Sequence, residues 1–218
     1  MIDTIFYFLF TICYVVLFLL SIKLIRKSTL SFYMFFLPLV IAGLIYDNMI
    51  IAIGAFIGEG PVLTFLSMFR FWLHALFTPT LILFAYGVAK HSNIQWAKKT
   101  VVKICFVVST IALISYEVIK TMSQRMEIIH EYGIVRYTLS GSSGPPIMVI
   151  IVALILLLVG ISLFRHTRWS IMAIGVAIMI VGSAIPFSIP STAVINLFEL
   201  IFIFSLYLTH RYLLKREL

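Results

Sequence analysis

Two neighbouring apolar segments carry ionisable side chains where a bilayer has no water to hydrate them: Tyr46-Asp47-Asn48 in one, Arg70 and His74 in the next. A charge near the bilayer centre costs ~2.5 kcal/mol or more, so such residues face a protein interior or a cavity and mark function by default. Two further acids fall in later apolar segments, Glu117 beside Tyr116 and Glu199 one turn after Asn196. Carboxyl groups in dry surroundings suit proton transfer, one neutral acid donating while a second group accepts. Low dielectric favours the neutral form of an unpaired carboxyl, whereas an arginine can hold one carboxylate as the anion through a bidentate pair. Asp47, Glu199, His74 and Glu117 are therefore the catalytic candidates. Tyr46, Asn48, Arg70, Trp72, Tyr116 and Asn196 are the candidates for substrate contact, with Tyr116, Trp72 and Ser183 placed by depth alone.

The elements that must position these groups follow from composition. The chain has 218 residues, of which 62% are hydrophobic and 11% charged, and its mean hydropathy is +1.15. Soluble domains run near ~25% charged, so this is an integral membrane protein. A helical span needs ~20 mostly apolar residues. Segments at 4–22, 32–57, 62–89, 100–121, 146–164, 169–188 and 191–212 qualify, and predict an all-α bundle of seven transmembrane helices in a single domain. The first segment has no basic flank before it and no cleavage-type sequence after it, which predicts a retained anchor.

The net charge of +8 does not point to nucleic acid, because the cations sit in short loops between apolar runs. Lys23, Arg26, Lys27, Lys90, Lys98, Lys99, Lys103, Arg165, Arg168, Arg211, Lys215 and Arg216 fall on one side; Lys120, Arg125 and Arg136 fall on the other. That bias predicts an N-terminus outside and a C-terminus in the cytoplasm, at the plasma membrane, with membrane lipids as the immediate partners. Asn93 to Lys99, with Trp96 among cations, predicts a short interfacial helix. The external stretch 122–146 is a possible lid: its start, with Gln124, Arg125, Glu127, His130 and Glu131, predicts a surface helix, and Ser140 to Pro146 reads as a flexible run. Cys13 and Cys105 lie in apolar runs without metal-type spacing and read as small hydrophobes.

Helical rise brings the island to one level. Asp47 lies ~15 Å from the outer end of its span, Arg70 ~12 Å and His74 ~18 Å, with Glu117 at ~7 Å and Glu199 at ~12 Å in theirs. Arg70, His74 and Thr78 share a face at i, i+4, i+8. Gly43, Gly54 and Gly58 fall near the Asp47 stripe, where small residues admit a neighbouring helix or a ligand. Pro79 removes a helix donor one turn beyond Ala75 and loosens the segment beside His74. The half of the bundle below this level is almost uniformly apolar, which predicts a cavity open to the outer side and no path through.

No HExxH, GxSxG, paired histidine ligands or DDxxD-type cluster occurs, so metalloprotease, ordinary serine hydrolase and diphosphate-ionising chemistry are not indicated, and no cofactor or metal is implied. Seven spans in a chain of this length, with Tyr46-Asp47 in span two and Glu199 in span seven, resemble the small integral-membrane terpene cyclases. That resemblance implies acid roles for Asp47 and Glu199, one protonating a polyprenyl epoxide or olefin and the other helping to quench the carbocation, with an apolar lipid or isoprenoid as ligand. The chain departs from the family in carrying Asp then Glu, in lacking a Trp before the first acid, and in having the Arg70–His74 pair. Two other classes stay open, a proton-coupled transporter and a ligand-sensing membrane protein. So does a purely structural Asp47–Arg70 pair, and the sequence leaves the oligomeric state open.

Overall fold

The computed structural model describes residues 2–27, 32–140, 147–184 and 191–217. Among the described residues eight α-helices form the bundle: α1 (Ile2–Lys27), α2 (Phe36–Ile57), α3 (Pro61–Phe77), α4 (Leu81–His91), α5 (Thr100–Ser123), α6 (Ile147–Thr167), α7 (Ile171–Ala184) and α8 (Ala193–Glu217). Several are apolar on every side, as helices facing lipid as well as protein must be. On α1, for example, Tyr7, Phe10, Tyr14 and Leu17 are buried while Ile5, Leu9, Ile12, Val16 and Leu19 are exposed.

Among the described residues six helical stretches are long and apolar enough to cross a membrane, with α3 and α4 counted as the single stretch Pro61–His91. The break inside that stretch comes from Pro79. Its missing N–H and its ring convert Thr78–Thr80 to a 3-10 turn, and the Thr80 hydroxyl donates to the Phe77 carbonyl at 2.6 Å. The sixth predicted span, 169–188, is described only in part. Its described helix, α7, has 14 residues, about 21 Å of rise against a hydrocarbon core of ~30 Å. Positions 185–188 of that predicted span, and the Pro186–Pro190 turn, lie outside the described residues.

Close helix approaches are made at small residues. The Gly175 backbone abuts the Ser205 hydroxyl, Gly182 the Phe198 ring and Gly160 the Ala173 backbone, which draws α6, α7 and α8 together. At the start of α8 a buried carboxylate makes a second tie. Asp3 of α1 accepts hydrogen bonds from Ser191 Oγ (2.7 Å), Thr192 N (2.7 Å) and Thr192 Oγ1 (2.9 Å), and so satisfies donors that a helix N-terminus leaves open. Tyr7 donates to the same Thr192 hydroxyl.

The predicted surface helix at 124–131 is not formed. Met126–Glu131 (β1) pairs antiparallel with Ile134–Leu139 (β2). Tyr132 and Gly133 both take positive φ, 48° and 87°, the turn that matches strand twist in a two-residue hairpin. Two short runs with β-branched pairs, Ile128-Ile129 and Ile134-Val135, separated by Tyr132-Gly133, are the local signal for it. β2 packs on α2 and α3; Ile134 is buried, Gly54 of α2 lies directly against the Val135 carbonyl, and Thr4 donates to the Gly133 carbonyl. Of the stretch read as a flexible run, 141–146 lies outside the described residues. The hairpin and Glu59, joined by His130 Nε2 and Glu59 Oε1 at 2.7 Å, mark one end of the bundle, here called the hairpin end. The short helix predicted around Trp96 is a 3-10 turn, Gln95–Lys98, at the opposite, cation-rich end.

Candidate functional site

A cavity of ≈ 460 Å³ lies among α2, α3, α4, α6, α7 and α8. Its wall is mostly aliphatic and aromatic, with Val40, Leu44, Phe71, Val152, Met179 and Phe202 among the lining residues. Five polar or ionisable groups break that wall: Asp47 of α2, Arg70 and His74 of α3, and Asn196 and Glu199 of α8, with Thr78 and Ser183 at its margin. Spans two, three and seven thus meet around one space. Depth counting on separate helices can suggest a common level, but only their packing makes it a common volume.

Arg70 is 7% exposed and donates from Nε to Asp47 Oδ1 at 2.8 Å. The contact is through one nitrogen and not the bidentate fork that the sequence suggests. Arg70 Nη1 is buried and has no hydrogen-bond partner among the described residues. The guanidinium also sits over the Phe71 ring, 5.3 Å from its centroid. Asp47 is 25% exposed, so its carboxylate is both held by arginine and open to the cavity. One turn along α3, His74 Nδ1 and Thr78 Oγ1 are 3.2 Å apart, which fixes the ring by an i, i+4 contact.

Glu199 differs from Asp47 in having neither a hydrogen bond nor an ion pair among the described residues. Its neighbour one turn earlier is anchored: Asn196 Nδ2 donates to Asn48 Oδ1 at 3.1 Å, and Asn48 Nδ2 donates to the Leu44 carbonyl at 2.9 Å. Asn48 is fully buried behind the wall and fastens α8 to α2 at the level of the site. Burying these amides without partners would cost on the order of 1–3 kcal/mol each, so the pair also specifies the register of the two helices.

Five candidates are not brought to the cavity: Asn48, buried behind its wall, and four that face elsewhere. Tyr46 turns towards α3, where its hydroxyl donates to the Leu66 carbonyl (3.2 Å) and its ring meets Phe69 edge-on. Trp72 is half-buried and outside the lining, and Tyr116 is 41% exposed. Glu117 pairs with Lys120 on its own helix at 3.7 Å, and α5 packs on α3 and α4 rather than on α2 or α8. The reason is direction. Adjacent residues on a helix point ~100° apart, so Tyr46 and Asp47 share a depth but not a face. The small-residue stripe on α2 is likewise used by protein: the Phe77 ring lies 3.2 Å from where a Gly43 side chain would begin, and the hairpin covers Gly54.

Two buried polar residues, one beside the site and one further along α8, carry no signal in the hydrophobic pattern. Tyr14 of α1 is fully buried, its hydroxyl has no hydrogen-bond partner among the described residues, and it lies within electrostatic reach of Glu199 and Asp47. A hydroxyl at mid-span, which needs a partner when buried, is the available cue. His210 of α8 is also fully buried, its ring nitrogens without hydrogen-bond partners among the described residues, near the Phe84 ring. It falls in the half of the bundle where the sequence suggests only apolar groups.

Among the described residues no cluster of three His, Cys, Asp or Glu side chains is placed to hold a metal ion. Cys13 and Cys105 are free thiols. No protein-family model matches the chain, and no curated protein sequence is significantly similar to it. Fold and site together define a multi-pass helical membrane protein with a polar, ionisable cavity inside the bundle. Its chemistry has to be argued from these residues.

Proposed function

We propose that this protein is an intramembrane enzyme that acts on a lipid or isoprenoid by proton transfer. One observation carries the proposal: two carboxyl groups in a mainly apolar cavity have unlike surroundings, Asp47 against a guanidinium and Glu199 without a hydrogen-bond or ion-pair partner among the described residues. A carboxylate beside arginine is compensated as an anion. A buried carboxyl without cation or donor is suited to carry a proton and hand it over. Glu199 is the acid in this reading. It protonates an olefin or epoxide of the substrate; the resulting cation loses a proton from carbon to Asp47, or to His74 one helical turn beyond Arg70. Proton gain and loss balance on the substrate, the proton taken up by Asp47 or His74 returns to Glu199 before the next turnover, and no cofactor is consumed. Aromatic and aliphatic walls accommodate the apolar chain, and the Arg70–Asp47 pair gives the cavity a polar side for an oxygen at its head. The chemistry is similar to that of the integral-membrane terpene cyclases.

The proposal includes a topology: seven spans, hairpin end outside, cation-rich end in the cytoplasm, at the plasma membrane. The uneven distribution of Lys and Arg supports it.

The test is turnover of the purified full chain with polyprenyl olefins, polyprenyl epoxides and membrane lipid extracts in D₂O, read by mass spectrometry. Olefin products carrying one carbon-bound deuterium are expected, and epoxide products whose new hydroxyl exchanges its deuterium; Glu199→Gln should lower either rate by about 10²–10⁴, the range of a positioned acid. Normal turnover by Glu199→Gln and by Asp47→Asn would remove both residues from the chemistry.

His210 favours a second reading, a proton-coupled transporter, because it puts an ionisable ring about 16 Å further along α8 than Glu199. Proteoliposomes showing solute-dependent proton flux that Asp47→Asn abolishes would favour that reading over the enzyme.

A further inference from the structure

A second cleft, of ≈ 410 Å³, lies at the cation-rich end, remote from Asp47 and Glu199. It forms where α4, α6 and α8 end side by side. Lys90, His91, Ser92 and Asn93 come from the first, His166 from the second and Arg216 from the third. Among the described residues no carboxylate lines it. The cations are oriented by aromatic rings instead: Lys90 Nζ lies 5.9 Å from the Tyr33 centroid, and the Arg216 guanidinium 5.7 Å from that of Tyr212. Tyr212 is itself fixed by stacking on Trp169 at 4.2 Å.

The plain alternative is that these cations only compensate the negative ends of three helices. Two observations go beyond it. The last carbonyls of α4 are already occupied, since Val88, Lys90 and Ala89 accept from the backbone N–H groups of Ser92, Asn93 and Ile94. And the Ser92 hydroxyl, buried at the wall of the cleft, has no hydrogen-bond partner among the described residues. Cap geometry leaves both unexplained: a space of this size, and a buried hydroxyl beside two fixed cations.

We propose that this cleft binds a phosphate group, with Lys90 and Arg216 supplying charge, Ser92 and Asn93 supplying neutral donors, and His91 and His166 completing the rim. The phosphate belongs either to an anionic lipid headgroup or to a soluble phosphate compound. The lipid source fits the position, because Trp96 and Trp169 mark the same end of the bundle and tryptophan collects at the headgroup level. This site does not depend on the enzymatic reading of the other cavity.

The test is native mass spectrometry of the full chain, titrated with phosphatidylglycerol, with phosphatidylcholine and with inorganic phosphate. Lys90→Gln/Arg216→Gln is compared with Lys98→Gln/Lys103→Gln, which removes equal charge from the same end outside the cleft. Each basic side chain near a membrane anion is worth about fivefold in affinity, so the cleft pair should weaken phosphatidylglycerol binding by about thirtyfold and leave phosphatidylcholine unchanged. Ser92→Ala, which removes no charge, should weaken it by a further measurable factor of about three to ten. Inorganic phosphate bound with the same residue dependence, in the absence of lipid binding, would keep the site and identify the source as soluble. Equal losses in the two double variants, or no phosphate-bearing ligand retained at all, would overturn the proposal.

Discussion

Arg70→Met separates a structural from a chemical role for Asp47. The Arg70 side chain is 7% exposed and Asp47 25%. Removing one partner of a buried ion pair costs about 3–5 kcal/mol, because the other charge remains buried. For Arg70→Met the loss belongs at the low end, about 3 kcal/mol, since the stranded Asp47 carboxylate reaches the cavity. For Asp47→Leu it belongs higher, about 4 kcal/mol: the guanidinium is more deeply buried, and Nη1 already lacks a partner. The double variant replaces both charges with apolar groups and should return to within about 1 kcal/mol of the wild type. The cycle therefore closes with a coupling of about 6 kcal/mol. Denaturant unfolding of the full chain in detergent micelles, followed by tryptophan fluorescence, measures all four corners. Arg70→Met unfolding at the wild-type midpoint would refute the reasoning. Asp47 would then not be a held anion, and the division of roles between Asp47 and Glu199 would lose its basis.

Two further perturbations test how the site is framed. Asp3→Asn puts an amide N–H₂ among the donors of Ser191 and Thr192 and removes a charge that accepts three hydrogen bonds; a loss of about 2 kcal/mol is expected. Thermal melting should fall by roughly 4–8 °C, and an unshifted transition would show that the tie between α1 and α8 is not stabilising. Gly54→Ala drives a methyl group into the Val135 carbonyl, an overpacking cost of about 1–3 kcal/mol that lifting the hairpin relieves. Tryptic cleavage at Arg125 and Arg136 should accelerate, and an unchanged rate would mean that the hairpin is not seated on α2.

Much of the frame is legible in the chain alone because the bilayer imposes one simple rule, that backbone polar groups be satisfied within each span. Apolar length, Pro61 opening α3 after Gly60, Pro79 interrupting it, and charge confined to loops all follow locally. The hairpin was hidden by a different competition. Its charges fit a surface helix as well as a strand, and Tyr132-Gly133 with the support of β2 on α2 and α3 decided between them. Burial in contact with other elements overrides local preference in short segments.

The sequence by itself determined that ionisable groups lie within apolar helices, and helical rise gave their common depth. Tertiary packing decided which of them meet. Depth depends on residue number along one helix, whereas direction depends on how that helix rotates against its neighbours, and no property of the isolated segment sets that rotation. Hence Asp47, Arg70, His74, Asn196 and Glu199 share one cavity, while Tyr46 bonds to Leu66 and Glu117 pairs with Lys120. The same rotation buried Tyr14 and His210, and gathered Lys90, His166 and Arg216 around a cleft that their separate loops do not suggest.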